Sequence, residues 1–413
     1  MRPLERGMGQ QPRSRVRLAS MMHEILVLNA GSSSLKFAVF EVRADDADLV
    51  CSLRGQFAGF GSTPSFEMRA AEGIDLSASL GEPLPATQAE AVAPLLRVLA
   101  KCGRGERQLS AVGHRFVHGG SKYASPVLVD AAALAALDAV VPLAPLHMPA
   151  SLAVLRAARA AFPLAPQIAC FDTAFHATQP EVATRVALPR ALADKGYRRY
   201  GFHGLNYEHV VAALPRLSGA TLPSRLLIFH LGNGASICAV RDGASVATTM
   251  GYTPLDGLIM GTRCGSIDPG LLIALMRDEH LDADALERLL YWQSGLIALS
   301  GGASDMRELL ARTDAHARLA VDAFCYWAAR HAGSLAVALG GLDAIIFTGG
   351  MGENAAEIRA RIAAHLGWLG VALDAASNAT RGPRLSPAGA TIAVWCIPAD
   401  EEAAIARAVV GVI

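Results

Sequence analysis

The sequence has no apolar run long enough to span a bilayer. It also has no excess of either charge, since 37 Lys plus Arg balance 37 Asp plus Glu. Nucleic acids and anionic membranes are held through surplus positive charge, so neither is expected as a partner, and any affinity for anions has to be local. No C-x-x-C pair occurs among Cys51, Cys102, Cys170, Cys238, Cys264, Cys325 and Cys396. Their scatter through apolar runs reads as reduced thiols in a cytoplasmic protein. The His and Cys residues lack the spacing of a zinc site, and the G-x-x-x-x-G-K-[ST] phosphate loop is missing. Residues 1–21 carry Arg2, Arg6, Arg13, Arg15 and Arg17 without the uninterrupted apolar stretch of a secretory signal. This basic leader is expected to be disordered, or to be an overlong start, because Met21 and Met22 directly precede the first strand.

What is present is ample core and several glycine-rich turns. At 413 residues, 52% of them hydrophobic, the chain can fill two domains. Residues 28–40 (LNAGSSSLKFAVF) read as a strand, a tight turn of small hydroxyl residues, and an outgoing strand alternating Leu35, Phe37 and Val39. A second turn of the same build lies at 229–240 (FHLGNGASICAV), and Ser34 and Ser236 each lead into the outgoing strand. Such turns offer backbone N–H groups and hydroxyls to an anion. Two of them half a chain apart point to a duplicated fold with a polyphosphate between its halves. Lys36 follows the serines instead of closing a glycine loop, so the cradle is a hairpin. A third glycine motif, GGMGEN (349–354), is predicted to follow a strand over 344–348 and open a helix. It fits a dinucleotide fingerprint poorly, because Ala355 stands at the third glycine and no ribose-binding acid follows about twenty residues on. An adenosine-binding corner suits it better.

Between these motifs, helices are predicted over 89–100, after Asp130, over 151–162, from Asp268 and Pro269, over 283–293, after the Asp305/Glu308 capping pair, over 314–339 and over 401–410. Strands are predicted over 110–118, 167–171 and 391–397, and a Gly/Pro/Ser-rich excursion over 60–87. Strand groups separated by helices make an α/β protein with two similar lobes.

Several charged and polar residues sit where chemistry needs them. HRFVHGG (114–120) puts Arg115 at a strand end, and TPLDGLIMGTRCGSIDPG (253–270) puts Arg263 in a glycine-rich loop. Guanidinium forks there suit phosphate or carboxylate, the other reading being a bridge to a nearby acid. YGFHG (200–204) holds His203 between glycines, and PLAPLHMP (142–149) holds His147 in a proline-stiffened loop. Either imidazole can donate to a transferring phosphoryl oxygen, or sit in the core bonded to a carbonyl. Asn29, Asp172 and Glu401 are candidates for the one or two protein oxygens that a nucleotide-borne Mg²⁺ takes, helix capping being the other use of Glu401.

On these ordered motifs, from residue 25 to the last helix, the chain resembles the acetate kinase family, relatives of sugar kinases, actin and the heat-shock chaperone ATPases. The resemblance implies two ribonuclease H-like (actin-like ATPase) lobes with duplicated βββαβαβα cores and an interlobe cleft. It divides the chain into an N-terminal lobe over 22–172, joined by the C-terminal helix 401–413, and a C-terminal lobe over 173–400 for nucleotide binding and dimerisation. The implied activity is reversible, Mg²⁺ (or Mn²⁺)-dependent transfer of the ATP γ-phosphoryl group to acetate, giving acetyl phosphate and ADP, by a homodimer. The implied site residues are Asn29 and Lys36 of the turn, with Ser34, and Arg115 and Arg263 as substrate arginines. His203 is the transition-state histidine and His147 the loop histidine. Asp172 is the acid assigned to proton transfer and Glu401 the metal-associated glutamate, with Asn29 beside it. Nucleotide contacts map to His230, Leu231, Gly232, Asn233 and Gly234, to Asp305, Met306 and Arg307, and to Gly350, Met351, Gly352, Glu353 and Asn354. Val117, Leu146, Phe202 and Pro254 match the pocket for the acetate methyl.

The chain departs from the family pattern at Met148, Cys264, Ser266, Ala399 and Asp400, and Asp400 competes with Glu401 for the metal contact. A carboxylate is already nucleophilic at neutral pH, so Asp172 is expected to orient an arginine or a metal-bound water and not to abstract a proton. The alternatives are a propionate or butyrate kinase and, from another class, an actin- or chaperone-like ATP-binding module. Paired arginines beside an apolar pocket favour a small substrate.

Overall fold

The computed structural model describes residues 23–31, 33–42, 49–71, 73–81, 83–104 and 109–413. The leader expected over 1–21 lies outside the described residues. Strands β1 (His23–Ala30), β2 (Ser34–Val42), β3 (Leu49–Ala58), β4 (Ser65–Ala70), β5 (Leu109–Phe116), β6 (Val127–Leu128) and β7 (Gln167–Phe171) form one sheet in the order β4-β3-β2-β1-β5-β7-β6. A second sheet takes β8 (Arg225–Leu231), β9 (Ala235–Arg241), β10 (Ala244–Thr248), β11 (Ala344–Thr348) and β12 (Ala393–Cys396) in the order β10-β9-β8-β11-β12.

Without β4 and β6 the two sheets share one plan. A three-stranded antiparallel meander continues through its first strand into two parallel strands, β1-β5-β7 in one sheet and β8-β11-β12 in the other. This is the duplicated ribonuclease H-like core. Parallel strands are covered on both faces and read as unbroken apolar runs; accordingly, every residue of β7 and of β11 is buried.

Helices start where aspartates cap them. Asp130, Asp268, Asp282, Asp305 and Asp314 each accept a bond from a backbone N–H of their helix's first turn. The longest helix, Ala315–Leu339, ends at Gly340 in the left-handed conformation. Two helices cross between the halves. The one after β7, Gly204–Ser218, packs Tyr207, Val210 and Leu214 on the second sheet, while the one after β12, Glu401–Val410, packs Ala404, Ile405 and Val409 on the first. A shared apolar cluster continues from Phe116, Leu152 and Phe171 to Phe229, Leu231 and Phe347. Both halves are thereby fixed against one another. No helix of the described residues is long and apolar enough to cross a membrane.

Three local expectations need correcting. The excursion over 60–87 contains the edge strand β4, where only Met68 is buried and Glu67 and Arg69 face outward, as on blunted sheet edges. The helix Gly204–Ser218 was not expected, because it lacks a capping side chain and contains Pro215. GGMGEN does not open a helix but is itself a short one, Gly349–Asn354, which breaks at Ala355 before Ala356–His365. Arg359 of the second helix, fully buried, donates to the Gly352 and Glu353 carbonyls and to Asn378, and so fixes that break.

Burial also dictates how the fold responds to acid. His114, His118 and His176 are buried, and burial holds each down to about 4, against about 6.5 in an unfolded chain. Between those values the unfolded chain binds more protons, so the stability these neutral rings require is complete above about pH 6.5 and is lost as pH falls toward 4. Asp172, raised to about 6 mainly by burial, works in the opposite sense, as do the raised Glu24, Glu208 and Glu402, while His147, His203, His209, His230 and His331, also held down by burial, add to the loss. The denaturant midpoint should therefore decline steadily from pH 7 to pH 5, with proton uptake on unfolding at pH 5. A midpoint independent of pH over that interval would contradict this reading.

Candidate active site

The site forms where carboxyl ends of parallel strands meet, the place where open α/β sheets bind ligands. Asn29 lies next to the end of β1, Arg115 near the end of β5, Asp172 directly follows β7, and His230 lies near the end of β8. A cavity of about 380 Å³ there is lined by Asn29, Ser34, Lys36, Arg115, His203 and His230, with the glycines of both turns and Glu401 and Glu402.

Asn29, opposite Lys36 in the hairpin register, is the hub. Its amide nitrogen donates to Glu401 Oε2 (2.9 Å) and Glu402 Oε1 (2.7 Å), and its oxygen accepts from Arg115 Nη1 (3.3 Å). Arg115 in turn forks onto Asp172, with Nη2 at 2.7 Å and Nε at 3.2 and 3.3 Å from the two oxygens. Glu401 Oε2 lies 3.6 Å from Arg115 Nε. Burial pushes the Asp172 carboxyl up to about 6, with Arg115 pulling against it and Glu401 adding to the rise. Glu401 goes the other way: burial opposes ionisation, but Arg115, His230 and the Asn29 amide outweigh it and keep the carboxyl below its ordinary range. Burial and the neighbouring Glu401 charge raise Glu402.

The helix-capping role weighed for Glu401 falls to Asp400 instead. Asp400 accepts from the Ala403 N–H (2.9 Å) and pairs with Arg54 at 3.2 Å, so it does not compete for a metal at the cavity. Glu402 is the acid that sequence reasoning passed over. Three consecutive acids at a helix start carry no signal of which one caps and which ones face Asn29.

His203 precedes the helix Gly204–Ser218 in the left-handed conformation (φ 61°), a region that few side chains enter and where histidine is enriched. It is held there because the Gly204 N–H bonds the Asp172 carbonyl at 2.9 Å. A Cβ on Gly204 would come within 2.2 Å of that oxygen, so only glycine fits. The His203 ring stacks on His230 with centroids 4.1 Å apart, and its Nδ1 lies 2.8 Å from Ser236 Oγ. The two turn serines differ: Ser34 lines the cavity, whereas Ser236 is buried and turned to His203 and Tyr207. Burial, then His230, Arg115 and Arg263, hold His203 well below the usual imidazole value. His147 is likewise pushed down to about 4 by burial and by both arginines.

Arg263 differs from Arg115. Its Nη1 donates to the Pro254 carbonyl (3.2 Å), and among the described residues it has no carboxylate partner. A Cβ on Gly234 would fall 3.1 Å from His203 Nε2 and 3.7 Å from Arg263 Nη1, which puts imidazole and guanidinium together at the second turn. Val117 and Phe202 are buried in one apolar cluster and Pro254 is buried, whereas Leu146 is 40% exposed, outside it.

A neighbouring cavity of about 420 Å³ gathers Gly232, Asn233, Asp305, Met306, Arg307, Gly350, Met351 and Asn354, together with Gly261, Leu296, Ser304, Leu310 and Ala355, which sequence reasoning missed. Leu231 is not on its wall but in the core, Gly352 is buried behind it, and Glu353 Oε1 is turned to the Ala399 N–H (2.9 Å). The remaining departures from the family pattern have structural uses. Met148 fills the core, Ser266 Oγ donates to Asp256 (2.7 Å), and the Cys264 thiol donates to the Gly265 carbonyl (3.1 Å).

Known proteins share this arrangement. The family model for the acetokinase family matches residues 24–407. An acetate kinase of Rhodopseudomonas palustris is 47% identical over 394 residues, covering 94% of this chain and 98% of its own. One of Deinococcus deserti is 46% identical over 397 residues, covering 92% and 96%. Among solved structures, a propionate kinase from Francisella tularensis superposes with a TM-score of 0.85 and the Porphyromonas gingivalis acetate kinase with 0.83, each 34% identical and covering 94% of this chain and 99% of the other. With a family match along nearly its whole described length and the two-cavity cleft between duplicated cores, the chain belongs to the acetokinase family, phosphotransferases with a carboxyl group as acceptor.

Proposed function

We propose that this protein transfers the γ-phosphoryl group of ATP directly to acetate, an in-line step in which the acetate oxygen bonds phosphorus as the bond to the β-phosphate oxygen breaks. The observation that carries the reading is the pairing at Gly234 of a buried neutral imidazole with an arginine that has no acid partner. Acetate needs no base, so the protein's task is to position two anions and neutralise the charge between them.

Arg263 is the cation available to the migrating phosphoryl group. Of the five N–H groups of Arg115, the Nε, one Nη1 and one Nη2 are committed to Asp172 and Asn29. The remaining two are left for acetate. Asp172 orients that guanidinium, and His203 donates to an equatorial oxygen. Val117, Phe202 and Pro254 wall the methyl group, with Leu146 and His147 at the loop. Lys36, Ser34 and the turn around Gly232 to Gly234 cradle the phosphates. The adenosine end lies against Asp305 to Arg307, Gly350, Met351 and Asn354.

Mg²⁺ or Mn²⁺ fits this donor set as an ion carried by the nucleotide, because the ionised Glu401, with Asn29 beside it, supplies the one or two oxygens such an ion takes from protein. When bound, it supplies charge neutralisation at the leaving phosphates. We assign 22–172 with the helix 401–413 to one lobe and 173–400 to the other. Seven free thiols support a cytoplasmic location.

Replacing Arg263 with Ala should lower kcat on the order of 10³-fold, as removing an arginine finger does. The assay is hydroxamate trapping of acetyl phosphate formed from acetate, ATP and Mg²⁺. Near-normal turnover in the variant would remove Arg263 from the mechanism, and an unmodified protein giving no acetate-dependent signal would favour the ATP-binding module.

The pocket admits a second reading, propionate as acceptor, favoured by the likeness to the Francisella tularensis enzyme. One methylene is worth about 1–3 kcal/mol in such a pocket, so propionate should be the poorer substrate. Val117→Ala should narrow the gap. Equal acetate-to-propionate ratios of kcat/KM in both proteins would show that Val117 does not set the size limit.

A homodimer is supported by the helix Pro269–Asp278, which buries none of its residues and leaves Leu271, Ile273 and Met276 about half exposed. Such a face calls for a partner. Sedimentation equilibrium should return twice the chain mass of 43.2 kDa, and Ile273→Glu should shift it toward one. A single-chain mass for the unmodified protein would refute the dimer.

A further inference from the structure

Behind the His203 ring lies a buried polar chain that the mechanism above does not use. Tyr207, one helical turn into Gly204–Ser218, is fully buried, and its hydroxyl contacts Ser236 Oγ. Ser236, at the start of β9 and also fully buried, lies 2.8 Å from His203 Nδ1. The recorded hydrogen-bond partners of the Ser236 hydroxyl are these two groups, and that of the Tyr207 hydroxyl is Ser236 alone.

Proton counting then fixes the direction. A phenol carries one hydrogen, and leaving it without an acceptor in the interior costs about 1–3 kcal/mol. Tyr207 satisfies it only by donating to Ser236. The serine, having accepted, sends its own hydrogen to His203 Nδ1. A neutral imidazole whose Nδ1 accepts carries its proton on Nε2. Nε2 is the atom beside Gly234 and the Arg263 guanidinium. In the reverse direction, from Nδ1–H to serine to tyrosine, the phenol hydrogen would be stranded and a lone pair would face an anionic phosphoryl group.

We propose that Tyr207 and Ser236 are positioning residues that lock His203 in its Nε2–H form, so that the ring donates a hydrogen bond to the phosphoryl group without having to be charged. This rests on the role given to His203 above. It adds a requirement that distance alone would not reveal: the donor is present because a tyrosine one turn into the helix dictates which nitrogen holds the proton.

The test is a long-range ¹⁵N–¹H correlation spectrum of histidine-labelled protein at neutral pH, with the His203 signals identified by their loss in His203→Asn, asparagine being tolerant of the left-handed backbone. The expected pattern is a protonated Nε2 and an unprotonated Nδ1. Tyr207→Phe frees the serine to accept instead of donate, so its spectrum should move toward a mixture of tautomers. Its kcat should fall about 10- to 100-fold, the range for residues that orient a functional histidine, with KM for acetate little changed. Ser236→Ala should do the same. A ring protonated on Nδ1 in the unmodified protein overturns the proposal, as does a Tyr207→Phe protein that keeps the unmodified spectrum. If instead His203→Asn turns over acetate normally, what fails is the catalytic role of His203, and the tautomer measurement stands independently of it.

Discussion

The Arg115–Asp172 fork is the constraint from which the site is built. A guanidinium and a carboxylate lie out of water where β5 and β7 end, and each would be costly to bury alone. Their closeness, 2.7 Å, fixes the relative height of those strands. Asn29 extends the constraint to β1 through the Arg115 Nη1 contact and to the C-terminal helix through Glu401 and Glu402. One polar knot thus joins segments more than 350 residues apart in sequence. Buried ion pairs contribute little net stability compared with apolar packing, so the fold gains little by keeping this one. What it gains is a guanidinium whose plane is set before any substrate arrives.

Duplication supplies the other half of the geometry. Each sheet contributes a meander whose turn faces the cleft, and each adds parallel strands whose carboxyl ends point the same way. The crossed helices make the halves interdependent: Glu401 belongs to a helix that follows β12 yet sits on β1, and Tyr207 to one that follows β7 yet sits on the second sheet. Each half thereby delivers a helix start, with its polar residues, into the site of the other. The shared apolar cluster beneath keeps those deliveries in register.

How much of this was legible in sequence follows from where the determinants lie. β7 and β11 could be read to the residue because unbroken buried runs bounded by polar residues admit one reading. Helices at Asp130, Asp268, Asp305 and Asp314 were marked by their caps. Gly204–Ser218 was invisible because tertiary contacts do what a cap would: the Gly204 N–H is satisfied by the Asp172 carbonyl, 32 residues earlier in the sequence. The two turns were found, yet the different directions of Ser34 and Ser236 were not, since both follow a turn and start a strand. Direction there depends on Tyr207, a long-range partner. At residues 398–402 (PADEE) the same ambiguity hid Glu402 and overrated Asp400 as a rival ligand. Arg359, buried and holding the break in GGMGEN from outside that motif, left no local trace either.

The contrast between the two arginines carries the last step. Binding energy accelerates a reaction only when it is larger in the transition state than in the ground state. Arg115 is already paired with Asp172 and bordered by Glu401, so in the proposed mechanism its attraction for an incoming carboxylate is moderated and acetate is oriented without being trapped. Among the described residues Arg263 has no such partner, and burial works against its charge. In the proposed mechanism it gains most where negative charge is greatest and closest, on the phosphoryl group in flight between two anions. His203 in the proposed mechanism completes the asymmetry by giving a hydrogen bond while remaining neutral, and its lowered pKa spares the site a third cation beside the two guanidiniums. A charged imidazole there would be repelled by Arg115 and Arg263 at a buried position, where the effective dielectric is lower than in water. The burial that depresses the ring is therefore what allows the imidazole to stand beside the Arg263 guanidinium at Gly234, and in the proposed mechanism the acid knot around Arg115 keeps that arginine from holding its substrate too well.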